Sequence, residues 1–358
     1  MKILITGNLG YVGPAVVRLL RESYPDAVLV GLDMGYFGHC LTSQDILPEC
    51  RVNLQYFADV RKVSDEILRG VTAVVHLAGI SNDPIGNAFE SVTYDVNHHA
   101  SAALAARARD AGAHAFVFAS SCSVYGYAED RPKTELSEVN PLTAYARSKL
   151  LAEEDLAALA TPDFKVTCLR FATACGMSDR LRLDLVLNDF VAAAVAARKI
   201  EILSDGTPWR PLINVRDMAR TIHWAITRDL TPAGPFLVVN AGCDEWNFRV
   251  KELAQAVAGQ VPDVAVSINP NAHPDKRSYR VDFSLFRRLA PDHQPKMDLI
   301  TTIAELKKGL ERIGFADRNF RNSRFIRLKV LEDLRRRNLL SDRLEWHSGV
   351  PLGIPQAA

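Results

Sequence analysis

The feature that most constrains this chain is a glycine triplet at its start. Gly7, Gly10 and Gly13 stand as G-x-x-G-x-x-G, directly after the apolar run Ile3-Leu4-Ile5 and at the mouth of a helical pattern over residues 12–23. Glycine at such places lets the chain turn tightly. It also brings bare backbone N–H groups, and the positive end of a helix dipole, up to an anion such as a pyrophosphate. Strand, glycine turn and helix in that order open a parallel α/β unit.

The first half of the chain repeats this alternation. Apolar runs at 28–32, 71–77 and 115–119 read as buried strands, helical patterns at 63–68 and 91–111 lie between them, and a helix over 144–159 precedes a strand over 165–171. Buried strands joined by crossover helices form a doubly wound parallel sheet, so the expected fold is Rossmann-type α/β. At roughly 150 residues per domain, 358 residues hold about two domains. A polar stretch at 178–182 marks a transition, and strands at 211–215 and 236–240 around a helix at 216–226 bring the chain back. The expected division is 1–177 with 213–243 for the first domain, 178–212 with 244–315 for a smaller, discontinuous α/β domain, and a basic helical tail over 316–358. That tail carries Arg318, Arg321, Arg324, Arg327, Arg335, Arg336 and Arg337. A solvated face is the ordinary role of such a run, and an anion site or subunit contact is the sharper one.

Bulk properties exclude several partners. With 43 basic and 42 acidic residues the chain has no electrostatic ground for binding nucleic acid. Its longest apolar stretch, 190–197, falls well short of the ~18 residues that span a bilayer, so no membrane association is expected. Met1-Lys2 runs straight into the first strand, which leaves no room for a signal peptide, and the six cysteines lack paired spacing. A cytoplasmic protein with reduced thiols and no metal site is the expectation.

Further residues specify the ligand of the glycine turn. Asp33 closes the second strand 20 residues after Gly13, where a carboxylate accepts both hydroxyls of an adenosine ribose and repels a 2′-phosphate. No arginine follows it immediately, so NAD is favoured over NADP. Asp59 is a candidate for the adenine amino group or a simple turn residue. His76-Leu77-Ala78-Gly79 ends a strand at the carboxyl edge of the sheet, where Ala78 and Gly79 permit close approach and His76 reads as a core histidine.

Tyr145 and Lys149 stand at i and i+4 on one helix face. A neighbouring ammonium and a positive nicotinamide ring both favour the phenolate of such a tyrosine, which makes it a base at neutral pH. Upstream, Phe118-Ala-Ser-Ser-Cys-Ser-Val-Tyr-Gly126 ends a strand in small hydroxyl residues and can set Ser121 beside the same phenol.

Taken together, these ordered motifs resemble the extended short-chain dehydrogenase/reductases that act on nucleotide sugars, the group of the UDP-galactose 4-epimerases and nucleoside-diphosphate-sugar 4,6-dehydratases. The resemblance covers about residues 1–282. It implies cofactor roles for Gly7, Gly10, Gly13, Asp33, Asp59, Tyr145 and Lys149, and a catalytic role for Ser121 with Tyr145 and Lys149. The cofactor contacts expected along the same segments also include Tyr11, Val12, Val60, Leu77, Ala78, Gly79, Asn97, Ser120 and Phe171. The family's 4,6-dehydratases carry Asp-Glu after the position of Ser121, whereas this chain has Cys122 and Ser123. Dehydration is thereby disfavoured unless a carboxylate such as Asp83 substitutes. By strand alternation Cys122 should face away from Ser121 and Ser123.

On the substrate side, Thr173 stands where the family usually has Asn. Arg210 heads a segment, Arg210-Pro-Leu-Ile-Asn-Val-Arg-Asp217, that resembles the family's Arg-x-x-x-His-Val-x-Asp, whose arginine binds the diphosphate. Asn214 replaces the histidine, and Asp217 reads as a helix cap. Arg277, Asn188, Ser81, Asn82 and Ser123 complete the expected substrate set, with surface ion pairing for Arg277 and polar loop roles for the others as alternatives. The reading is epimerisation of a nucleotide sugar at C4 through a transient 4-keto sugar. A 4-ketoreductase uses the same residues; a 4,6-dehydratase or a non-catalytic NAD-binding subunit fits them less well. Helices 91–111 and 144–159 are the pair that family dimers pack together, which implies a homodimer.

Overall fold

The computed structural model describes residues 1–43, 46–128, 131–269, 272 and 278–347. Its first half runs β1 (Lys2–Thr6), α1 (Gly13–Ser23), β2 (Val28–Asp33), β3 (Leu54–Phe57), α2 (Asp65–Leu68), β4 (Ala73–His76), α3 (Asp83–Ala88), α4 (Glu90–Tyr94), α5 (Ala100–Asp110), β5 (Ala115–Ser121), α6 (Ala144–Ala157) and β6 (Lys165–Phe171). The second half runs β7 (Thr173–Cys175), α7 (Val186–Ala197), β8 (Lys199–Ile202), β9 (Trp209–Asn214), α8 (Val215–Thr227), β10 (Phe236–Ala241), β11 (Asn247–Arg249), α9 (Val250–Gln260), β12 (Ala265–Ile268), α10 (Ser284–Leu289), α11 (Leu299–Arg312) and α12 (Arg327–Arg336).

Seven of these strands pair in parallel in the order β10-β6-β5-β4-β1-β2-β3. Successive side chains on each strand enter different cores. Ile3, Ile5, Leu29, Val75 and Val117 pack on one face with Val16 and Leu20 of α1, while Leu4, Val30, Val74 and Phe116 pack on the other with Leu104 of α5 and Ala152 of α6. A strand buried on both faces needs apolar residues at every position, which is why these runs are continuous rather than alternating. The strand order reverses between β1 and β4. In an open parallel sheet that reversal leaves a crevice beyond the carboxyl ends of the strands, and ligands bind there.

Several local expectations need correction. β3 was not expected as a strand because it is an edge strand with a half-exposed pattern, Phe57 being 70% exposed, and so lacks an apolar run. The helix expected at 91–111 is interrupted by a π-helical turn over Asp95–His99. β9 pairs with β7 and β11 in a separate three-stranded sheet, whereas β10 joins the central sheet beside β6 and α8 packs on α1. The strand segment at 211–215 therefore belongs to the second sheet, and the return to the first begins with α8. Asn214, not Asp217, caps that helix: its side chain accepts from Arg216 N, while Asp217 is buried and accepts the backbone N–H groups of Lys296 and Met297. The basic tail is not a solvated face throughout, since Arg327 is 1% exposed and lies under the loop that follows β2.

Candidate active site

A cavity of about 770 Å³ runs along the crevice at the carboxyl edge of the sheet, a size in the range of small-molecule sites. Gly10, Tyr11 and Val12 line it at the start of α1, whose N-terminus has no side-chain cap, so its first N–H groups are available to a ligand. Gly7 has a positive φ of 72°, and a Cβ there would lie 2.6 Å from the backbone nitrogen of Ala78. Only glycine lets the turn pass this close to the end of β4. Asp33 sits at the cavity's far end and accepts from the backbone N–H groups of Leu9 and Gly35. Burial pushes its carboxyl above the usual range, and those two hydrogen bonds oppose the rise. A buried acceptor beside an N–H cradle fits the ribose and pyrophosphate of an adenine dinucleotide.

The chemical centre lies between β5, α3 and α6. Thr143 caps α6 by accepting from Ala146 N and donates to Asp83 at the head of α3, 2.7 Å away. Tyr145, the second residue of α6, faces the cavity with its phenol beside Ser121 at the end of β5. Burial pushes that phenol up to about 12, and the Ser121 hydrogen bond opposes the rise. The Lys149 ammonium is buried, stands 4.5 Å from the centroid of the Phe118 ring, and would lie 3.5 Å from a Cβ on Gly79. Burial lowers its pKa to about 8, with Glu153 opposing.

Beyond Ser121 the chain leaves the strand and winds into a 3₁₀ turn, Cys122–Tyr125, in which Ser121 accepts from Ser123 N. Cys122 is buried, as a packing role requires, but because the backbone turns and not by strand alternation. Its thiol donates to Arg170 O and burial raises its pKa, so it is no base. Ser123 lines the cavity with a buried hydroxyl that has no hydrogen-bond partner.

Most of the other expected residues also line the cavity: Asp59, Val60, Leu77, Ala78, Gly79, Ser81, Asn82, Ser120, Phe171, Thr173 and Arg210. Some are already engaged. Both Asp59 oxygens accept from the Arg61 guanidinium, and Asn82 caps α3 while donating to Asp184. Three do not reach the cavity. Gly13 is packed on Asn8, where a Cβ would lie 2.1 Å from its carbonyl oxygen. Asn97, on the π-helical turn, binds both backbone groups of Ile80 and the hydroxyl of Ser148. Asn188 is fully buried and spends its amide on Gly176 N, Tyr11 Oη and Arg182 O. Both asparagines position the walls. Arg277 lies outside the described residues. His76 is a core histidine: it pairs with Thr6 and Ser101, and burial lowers its pKa to about 3.

Sequence reasoning missed three contributors. Arg182 and Asp184 form a buried ion pair at 2.7 Å on the cavity wall, and Arg182 also donates to Ser81. Tyr279 is buried beside the field of Tyr145, Asp83 and Arg210. The segment around α12 reaches the cavity through Ile326, Arg327 and Leu331. No local motif announces any of them.

A doubly wound sheet with an N-terminal glycine cradle, a buried aspartate closing its second strand and a Ser-Tyr-Lys set at its carboxyl edge defines a dinucleotide-dependent enzyme. The chain belongs to the NAD-dependent epimerase/dehydratase family, whose model matches residues 3–242, and its cofactor is NAD. A UDP-glucose 4-epimerase of Lactobacillus helveticus is 26% identical over 339 residues, covering 89% of this chain and 100% of that one. Among solved structures, MoeE5 in complex with UDP-glucuronic acid and NAD is 25% identical, with a TM-score of 0.73 over 87% of this chain and 99% of its own. TunA, described as an NAD-dependent NDP-hexosamine 5,6-dehydratase, is 22% identical with a TM-score of 0.74 over 89% and 99%, a likeness of fold alone. Among the described residues no helix is long and apolar enough to cross a membrane, and no cluster of His, Cys, Asp and Glu could hold a metal ion.

Proposed function

We propose that this protein epimerises a nucleotide sugar at C4. The observation that carries the reading is the phenol of Tyr145, hydrogen-bonded to Ser121 inside the cavity with no thiolate or Asp-Glu pair beside it. Bound NAD supplies a hydride acceptor and, in its oxidised form, a positive ring that favours the phenolate. Tyr145 takes the proton of the C4 hydroxyl, directly or through Ser121, as the C4 hydride leaves. Lys149 holds the nicotinamide ribose hydroxyls. The resulting 4-keto sugar turns over, takes hydride back on its other face, and recovers the proton from Tyr145. Arg210 binds the diphosphate, for which a fixed charged fork suits the oxygens, with Thr173, Ser81, Asn82 and Ser123 around the sugar.

A dehydratase has one observation in its favour: Asp83 lines the cavity and its charge acts on Tyr145. A carboxylate there can take a C5 proton, a role that the motif after Ser121 leaves unfilled. The test is to incubate purified protein with UDP-, GDP-, CDP- and dTDP-hexoses. Interconversion of C4 epimers without net NADH supports the proposal. Release of water signals a dehydratase, stoichiometric NADH change signals a ketoreductase, and either result refutes it. Tyr145→Phe should cut turnover on the order of a thousandfold, the scale of general acid–base catalysis, and leave NAD affinity within about twofold. We further propose a cytoplasmic homodimer built on the α4–α5 and α6 helices, checked by sedimentation.

A further inference from the structure

Residues 318–347 lie outside the matched family region, yet they are built into the cofactor end of the cavity. They are tied to the loops after β2 and β3 at several points. Tyr36 donates to Leu344 O, Trp346 Nε1 donates to Met34 O at 2.7 Å, Arg61 donates to Arg343 O at 3.0 Å, and Lys62 pairs with Glu345 at 2.9 Å. The first of these loops starts right after Asp33 and the second carries Asp59. Leu331 and Leu344 face the cavity from the same segment.

At its centre is Arg327, which lines the cavity while only 1% exposed. Its guanidinium stacks on Phe37 at 4.3 Å and Nη2 donates to Arg180 O, but Nη1 is buried with no hydrogen-bond partner. Of the neighbouring arginines, Arg182 is matched to Asp184, and Arg180 meets Glu49 through Nη2 while its own Nε and Nη1 are also buried without a partner. Among the described residues no carboxylate forms an ion pair with Arg327. Asp33, Asp184 and Arg182 lie within its field, and burial pulls its pKa below the arginine value. A buried cation with an open donor is costly unless an anion meets it. The anion expected at this end of the cavity sits on the N-terminus of α1 beside Asp33.

We propose that the C-terminal segment is part of the cofactor site and that Arg327 supplies a charged donor to the pyrophosphate of the bound dinucleotide. This rests on the placement of NAD in the crevice between Gly7 and Lys149. The segment then closes over the adenosine half, and cofactor retention depends on residues some 300 positions away from the glycine turn.

Calorimetric titration of nucleotide-free full-length protein with ADP-ribose and with adenosine tests it. Arg327→Met should weaken ADP-ribose binding on the order of tenfold to a hundredfold, the scale of one charge-assisted hydrogen bond, and leave adenosine binding within about twofold. Unchanged ADP-ribose affinity overturns the proposal. So does an equal loss for adenosine, which is what a merely structural prop would give. Failure of the wild-type protein to bind ADP-ribose would instead overturn the placement of NAD itself. Hydrogen exchange on the unmodified protein needs no variant to fold: ADP-ribose should slow exchange over residues 327–336, and unaltered exchange there contradicts the proposal.

Discussion

The carboxylate of Glu153 and the guanidinium of Arg170 meet in a buried, two-pronged ion pair, 2.6 Å at its closest. Glu153 lies one turn beyond Lys149 on α6 and also accepts from Ser120, while Arg170 on β6 donates to Tyr125 Oη. The pair thus ties α6 to the ends of β5 and β6, and through them it sets Tyr145 opposite Ser121. Glu153→Gln leaves the arginine buried without a counter-charge. Loss of one partner of a buried pair costs about 3–5 kcal/mol, so denaturant titration should show a destabilisation of that order. Arg170→Met on the same background should recover part of it.

Lys149 gives stability a pH dependence of definite sign. Its pKa of about 8 in the folded protein lies below its ordinary value near 10.5, so between these values the unfolded chain binds the extra proton. Stability should therefore rise with pH from about 8 to about 10.5 by way of this residue. Tyr145 acts oppositely above pH 10, because its folded phenol keeps a proton up to about 12. Lys149→Met removes the first effect. Denaturation at pH 8 and pH 10 should show wild-type stability rising relative to that of the variant as pH rises; a constant difference would refute the assignment.

Gly7→Ala combines a left-handed backbone with a Cβ 2.6 Å from Ala78 N. Backbone strain alone costs roughly 1–2 kcal/mol, and relief of the overlap must move the turn away from β4. Thermal melts should show a lower Tm, and NAD titration should show weakened binding. Unchanged NAD affinity would mean that the turn does not cradle the cofactor.

The parts of this molecule that were legible in the sequence are those whose partners are close along the chain. The glycine turn, Asp33 at the end of the next strand, and Tyr145 with Lys149 one helical turn apart each depend on local geometry, and all except Gly13 reach one cavity. Asn97 and Asn188 looked like ligand residues because an amide that binds backbone and one that binds substrate have the same neighbours in sequence. Arg182 and Tyr279 were invisible for a different reason, and Arg327 stood out only as one of a basic run. Their roles come from side chains brought together across the fold, as Tyr36 and Leu344 are over 308 positions. The edge strand β3 escaped because an exposed strand carries no apolar run.

In the proposed reaction, Tyr145 and bound NAD move the C4 hydrogen off the sugar and back within one enclosed site. Nucleotide sugars deuterated at C4 test it most directly, with mass and NMR analysis of the products. The product should be a C4 epimer that keeps its deuterium at C4, with no NADH accumulating and with the conversion slowed about a thousandfold by Tyr145→Phe. Loss of the label to solvent, its appearance in released NADH, or its migration to C6 would contradict it.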